Sequence, residues 1–135
     1  VFSFLELDHV GVAVYNLDEA LKPYQGAGMS LIWRGELGSH GIKVVFVGTS
    51  KGTKVELLEP TSPDSTVGKF LARRGPGLHH IAFLVKDVDR ALQQAKEMGY
   101  ELVDQSSRLG AMNRKVGFIH PRSFGGVLVE LVQST

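Results

Sequence analysis

The chain contains no cysteine, and that one absence removes disulfides, thiolate metal sites and cysteine nucleophiles together. No apolar run reaches the ~20 residues that a membrane-spanning helix requires. Charge of neither sign dominates: 15 Lys and Arg stand against 14 Asp and Glu, for a formal net charge of +1. Without a global field to draw nucleic acid or a membrane, an anionic partner has to be held by a local cluster. A P-loop, an H-E-x-x-H pair and a G-x-G-x-x-G turn are also missing. Gly48-Thr49-Ser50-Lys51-Gly52 matches the letters of a hydrolase nucleophile elbow, but it joins two strand-like runs instead of a strand and a helix, and reads as a hairpin turn. A chain without cysteine suits a reducing compartment, and a cytoplasmic location, or the mitochondrial matrix in a eukaryote, is the expectation.

What the chain does have is a statement made twice. Asp8-His9-Val10-Gly11-Val12-Ala13-Val14 runs into Leu17-Asp18-Glu19-Ala20-Leu21, and His79-His80-Ile81-Ala82-Phe83-Leu84-Val85 runs into Val88-Asp89-Arg90-Ala91-Leu92. His80 follows His9 by 71 residues and Val88 follows Leu17 by the same 71 (80 − 9 and 88 − 17). Each half closes on a second echo, Val55-Glu56-Leu57-Leu58 and Val129-Glu130-Leu131-Val132.

The 135 residues fit one domain. Half that length is marginal for a core of its own, so the modules, about 5–59 and 78–133, are expected to share a core or an interface. Hydrophobic content of 43% with 21% charged residues is that of an ordinary folded chain, not a disordered one. In the first module Leu7–Val14 reads as a strand, Asn16 with Glu19 starts a helix that Pro23 should break within two turns, and Met29–Arg34, Lys43–Val47 and Thr53–Leu58 follow as strands. In the second, the elements are strand His80–Val85, helix Val88–Met98 ending at Gly99, and strands Tyr100–Asp104, Lys115–His120 and Val127–Val132. The linker, 60–77, carries a short helix from Thr66 to Arg74 and the stop Gly75-Pro76-Gly77. The architecture is therefore α+β, two tandem βαβββ modules.

Side chains alternate along a strand, so Lys54, Glu56 and Leu58 share a face, and Glu130 shares one with Leu128 and Val132. A carboxylate among aliphatic neighbours needs a positive partner. Any one strand histidine or glutamate is ordinarily structural, but matching types at matching positions of two modules are improbable by accident. With the modules related by a pseudo-twofold, His9, Glu56, His80 and Glu130 would converge on a divalent ion in a shared cleft. The donor types admit cobalt, nickel, manganese or zinc. His79 and His120 read as structural or as orienting the ligands. Arg108, Arg114, Lys115 and Arg122 are either solvated loop ends or contacts for a phosphorylated ligand.

These residues resemble those of the vicinal-oxygen-chelate, or glyoxalase-like, superfamily. Val55-Glu56-Leu57-Leu58-Glu59-Pro60, Gly77-Leu78-His79-His80-Ile81-Ala82-Phe83 and His120-Pro121-Arg122-Ser123 followed by Gly125-Gly126-Val127-Leu128-Val129-Glu130-Leu131 are similar to methylmalonyl-CoA epimerases over almost the whole chain. The resemblance implies a metal-binding cleft, cobalt as the ion, a homodimer, and interconversion of the C2 epimers of methylmalonyl-CoA through an enolate. It also implies that Glu130 is both ligand and base, and that the CoA phosphates meet the basic residues just named. A second glutamate is implied on the strand after the Gly41 turn, where this chain has Val44. Lys54 is the candidate for that missing proton handler, with a strand-end lysine reaching for solvent as its ordinary alternative and Glu36 and His40 as fallbacks. Two other activities stay open: a glyoxalase I-like lyase or isomerase, and a metal-free binding protein of the same fold.

Overall fold

The computed structural model describes residues 2–134. Among them the elements follow two rounds of strand, helix and three strands. The first comprises β1 (Glu6–Ala13), α1 (Leu17–Gly26), β2 (Ser30–Leu37), β3 (Ile42–Gly48) and β4 (Lys54–Pro60). The linking helix is α2 (Thr66–Arg74), and the second round is β5 (Gly77–Val85), α3 (Val88–Glu97), β6 (Arg108–Leu109), β7 (Lys115–Ile119) and β8 (Val129–Gln133). The α+β class and the bounds of α2 are those expected from the sequence.

Two compact units emerge, one of His9–His79 and the other of the residues up to Asp8 with those from His80 onward. The first residues thus pack with the second half of the chain, a division that the module bounds do not foretell. Aromatic chemistry explains it. Phe4 stacks on Phe83 with centroids 4.2 Å apart, Phe2 meets Tyr100 edge-on at 5.9 Å, and the Leu5 amide donates to the Leu84 carbonyl at 2.8 Å.

Within the first unit the strands lie in the order β2-β3-β4-β1. β1 runs parallel to β4, and β2, β3 and β4 alternate antiparallel. Val14, Leu17 and Leu21 pack on Val45, Val47 and Leu57, fixing α1 against this sheet. The second unit repeats the scheme as β5-β8-β7-β6, with β5 parallel to β8. Its core joins Val88, Leu92 and Ala95 of α3 to Ile119, Val129 and Leu131 of the strands.

The repeat extends to the helix starts. Asn16 Oδ1 accepts from the Glu19 amide at 2.9 Å, and Asp87 Oδ1 accepts from the Arg90 amide at 3.0 Å. A second carbonyl-type oxygen reaches each helix from the end of the last strand of its unit. Glu59 Oε1 accepts from the Leu17 amide at 2.9 Å, and Gln133 Oε1 accepts from the Val88 amide at 3.0 Å. Two of the four amides that a helix start leaves without internal partners are satisfied this way in each unit.

The structure departs from the sequence reading in two places. Pro23 does not end its helix; α1 continues through it to Gly26. The proline costs the carbonyl of Glu19 its donor, but Glu19 is exposed, where solvent can serve that oxygen, while buried Leu17 and Leu21 hold the helix to the core. Tyr100–Asp104 forms no strand, only a bridge between Leu102 and Ile119. Here the Val103 and Asp104 amides both donate to the Phe118 carbonyl, and Asp104 Oδ2 accepts from the Phe118 amide at 2.8 Å, so a side chain replaces the ladder. The short pairing with β7 is made instead by Arg108–Leu109. The Gly48–Gly52 segment is the expected hairpin turn, closed by the Thr49 amide on the Thr53 carbonyl at 2.9 Å.

Candidate metal centre

Among the described residues Asp8, His9, Glu56, His80 and Glu130 are the buried charged or titratable side chains. Four of them form two like pairs. His9 Nε2 lies 3.2 Å from Glu56 Oε1, and His80 Nε2 lies 3.0 Å from Glu130 Oε1. Each pair offers one nitrogen and one oxygen donor of the kind that a metal ion takes.

Register produces each pair. In the first unit Glu56 stands beside Gly11 across the parallel pairing of β4 and β1, and His9 shares the face of Gly11 two residues earlier. The Glu56 carboxylate thus reaches back by two positions to the imidazole. In the second unit Glu130 stands beside Ala82, and His80 precedes Ala82 by the same two positions. An aromatic ring completes each arrangement. Phe46 pairs with Glu56 across β3 and β4 and meets His9 edge-on at 5.0 Å, while Phe118 pairs with Glu130 across β7 and β8 and meets His80 edge-on at 5.6 Å. Gly11, Ala82, Phe46 and Phe118 are the supporting residues that reading for ligands alone misses. Their signal is in the repeat, as a small residue two after each histidine and a phenylalanine in the third strand of each module.

The donor set suits a divalent cation. Two neutral imidazoles and two carboxylates carry two negative charges, and buried carboxylates of this kind require compensation. Their nitrogen and oxygen atoms suit cobalt, nickel, manganese or zinc alike.

The remaining candidates are dispersed. Lys54 opens β4, half-buried, paired with Gly48. Val44 is fully buried between Gly35 and Leu58, so the position of the implied second glutamate is aliphatic here. Glu36 pairs with Lys43 on β2 and β3, and His40 lies in the turn between those strands. Arg108 is 3.4 Å from Asp104 and its guanidinium sits 5.9 Å above the Phe118 ring. Lys115 is exposed at the start of β7, and exposed Arg122 lies 3.3 Å from Glu101. Arg114 is different: its Nη1 and Nη2 donate to the two carboxylate oxygens of Asp8 at 2.9 and 2.7 Å. His79 lies edge-on to Phe70 at 5.0 Å, and His120 Nδ1 accepts from the Arg122 amide at 3.0 Å, which caps the turn Pro121–Phe124. Among the described residues no helix is long and apolar enough to cross a membrane.

Comparison with known proteins agrees with this geometry. A family model of the glyoxalase/bleomycin resistance protein/dioxygenase superfamily matches residues 8–118. The mitochondrial methylmalonyl-CoA epimerase of Bos taurus is 36% identical over 136 residues, covering 99% of this chain and 77% of that protein. An ethylmalonyl-CoA/methylmalonyl-CoA epimerase of Cereibacter sphaeroides is 35% identical over 130 residues, covering 94% of this chain and 96% of the relative. Among solved structures, a methylmalonyl-CoA epimerase in complex with methylmalonyl-CoA and NH4+ superposes with a TM-score of 0.92 at 35% identity, over 98% of this chain and 96% of the other. The enzyme of Mycobacterium tuberculosis gives the same TM-score of 0.92 at 35% identity, over 98% and 89%.

Proposed function

The chain belongs to the glyoxalase/bleomycin resistance protein/dioxygenase superfamily, in the family of the methylmalonyl-CoA epimerases, and on that premise we propose that it interconverts the two C2 epimers of methylmalonyl-CoA. The observation that carries the reading is the buried imidazole–carboxylate pair made in the same way in each unit. His9, Glu56, His80 and Glu130 are assigned as the ligands of a divalent ion, cobalt by preference. When bound, such an ion would supply Lewis acidity at this site, lowering the cost of the negative charge that develops as the α-proton leaves.

The chain's own groups have then to move protons. Epimerisation requires removal of the α-proton from one face of C2 and delivery to the other, and one side chain serves both only if the substrate turns over. Glu130 is assigned as the handler on one face, its carboxylate 3.0 Å from His80 Nε2. Lys54 is assigned to the other, since Val44 has no proton to give. For the CoA moiety Arg108, Lys115 and Arg122 supply positive charge near the phosphates. A homodimer is proposed as the working assembly, to be read from its mass in solution by light scattering.

The deciding experiment follows exchange of the α-proton of methylmalonyl-CoA with solvent deuterium, with and without a chelator. Metal-dependent exchange on this substrate is expected. Exchange absent on methylmalonyl-CoA but present as isomerisation of a glutathione hemithioacetal would replace the proposal with a glyoxalase-type activity.

A further inference from the structure

We infer that Asp8 and Arg114 form a positioning clamp that fixes the backbone carrying His9, and that Arg114 thereby serves the metal ion instead of the phosphates of CoA. The inference rests on the assignment of His9 as a ligand. Arg114 presents the two ends of its planar fork to the two oxygens of Asp8, at 2.9 and 2.7 Å, with 17% and 2% of the side chains exposed. This is the bidentate, charge-assisted geometry that fixes orientation as well as distance.

Burial makes the pair informative. Taking two charges out of water is expensive, so such a pair is weak evidence for stability in its own right, and holding parts in register is its better-attested use. Position says which parts. Asp8 is joined by one peptide bond to His9 in β1, and Arg114 immediately precedes β7, whose Phe118 pairs with Glu130 and meets the ring of His80.

The segment that delivers Arg114 is bent at a cost. Met112 and Asn113 have φ of 60° and 57°, in the left-handed region. For a residue with a Cβ that conformation is strained, less so for asparagine than for methionine. Strained backbone of this kind persists where its surroundings over-determine it, and it concentrates at functional sites. The Gly110 amide closes the bend on the Arg114 carbonyl at 2.8 Å, leaving the guanidinium aimed at Asp8.

The test uses cobalt(II) as the probe on metal-stripped protein. Wild type, Arg114→Lys, Arg114→Met and Asp8→Asn are titrated by calorimetry, with the visible ligand-field spectrum and the circular-dichroism melt recorded for each. Arg114→Met and Asp8→Asn are expected to bind cobalt about 10-fold or more weakly, the range in which outer partners of ligands act, and to shift the spectrum. Arg114→Lys, which keeps the charge but loses the fork, falls between and decides the matter by the same readouts if the other variants do not fold. Folded variants with wild-type affinity and spectrum overturn the clamp. So does an Arg114→Met enzyme whose only defect is a raised KM for the CoA ester beside an unchanged KM for the pantetheine ester. Failure of the metal assignment itself is separable, because the wild type would then bind no cobalt.

Discussion

His80 Nε2 and Glu130 Oε1 face each other at 3.0 Å, both side chains buried. A glutamine at position 130 keeps the size and shape of the carboxylate and removes its charge. Glu130→Gln is expected to lower metal content per chain and to slow turnover by 100-fold or more, about the contribution of one general acid–base group. A variant with full activity and full metal content would count against the whole assignment of the centre.

Lys54 stands two residues before Glu56 on the same strand. Lys54→Met should leave metal content intact while suppressing deuterium exchange at the α-carbon, since an isosteric apolar chain preserves packing but carries no proton. Normal exchange in this variant would return Lys54 to the role of a strand-end lysine.

For the CoA phosphates, alanine at Arg108, Lys115 or Arg122 should raise KM for methylmalonyl-CoA by severalfold and leave the pantetheine ester nearly unaffected. The comparison isolates the phosphate-bearing part of the substrate, because both esters share the reacting centre. Equal losses on the two esters would place these residues elsewhere.

Gly68 sits inside α2, where an added Cβ would come 2.5 Å from the Ser62 carbonyl oxygen and 2.8 Å from that of Pro63. Both obstacles are backbone and cannot rotate away. Gly68→Ala is therefore expected to lose about 1–3 kcal/mol of stability, the usual range for overpacking, despite the better helix propensity of alanine. An unchanged melting temperature would contradict the contact.

Asp89 accepts from the Ser107 amide at 2.6 Å and from its hydroxyl at 2.8 Å, and these hydrogen bonds, with the amide's the larger effect, hold its carboxyl below the ordinary 3.8. A folded-state value below the unfolded one adds stability above the unfolded value, and that stability is lost as pH falls through the folded one. Asp89 is exposed, so the effect is small and weakened by solvent screening. Wild type should exceed Asp89→Asn in urea midpoint at pH 6, and the gap should close as pH falls below about 3.8. A gap that persists at pH 2 would point to packing in place of charge.

Much of the centre was legible because it is written twice. The recurrence of His9 as His80 and of Glu56 as Glu130 marked the four side chains, and strand alternation put each carboxylate on one face. The small residues Gly11 and Ala82 recur two places after each histidine, but their place beside the carboxylates was not legible, since it depends on the register of parallel strands far apart in sequence. Arg114 shows the same limit. As one of four basic residues near a loop it reads like Arg108, and only the fold brings it to Asp8, 106 residues away in the chain. Pro23 misled because a local rule for helix interiors met a helix held by its packing. Tyr100–Asp104 misled because the side chain of Asp104 takes the place of a strand's hydrogen bonds.

The first amides of a helix ordinarily exchange with solvent early, having no carbonyl one turn back to hold them. In this fold the Leu17 and Val88 amides are held by Glu59 and Gln133, and Leu17 and Val88 are themselves buried. Exchange along α1 and α3 should therefore run against custom, slow at the beginning and fast toward Gly26 and Glu97. Each helix would come off its sheet from the far end, with its start the last point of attachment, and the turn into that helix follows directly on the strand that carries His9 or His80.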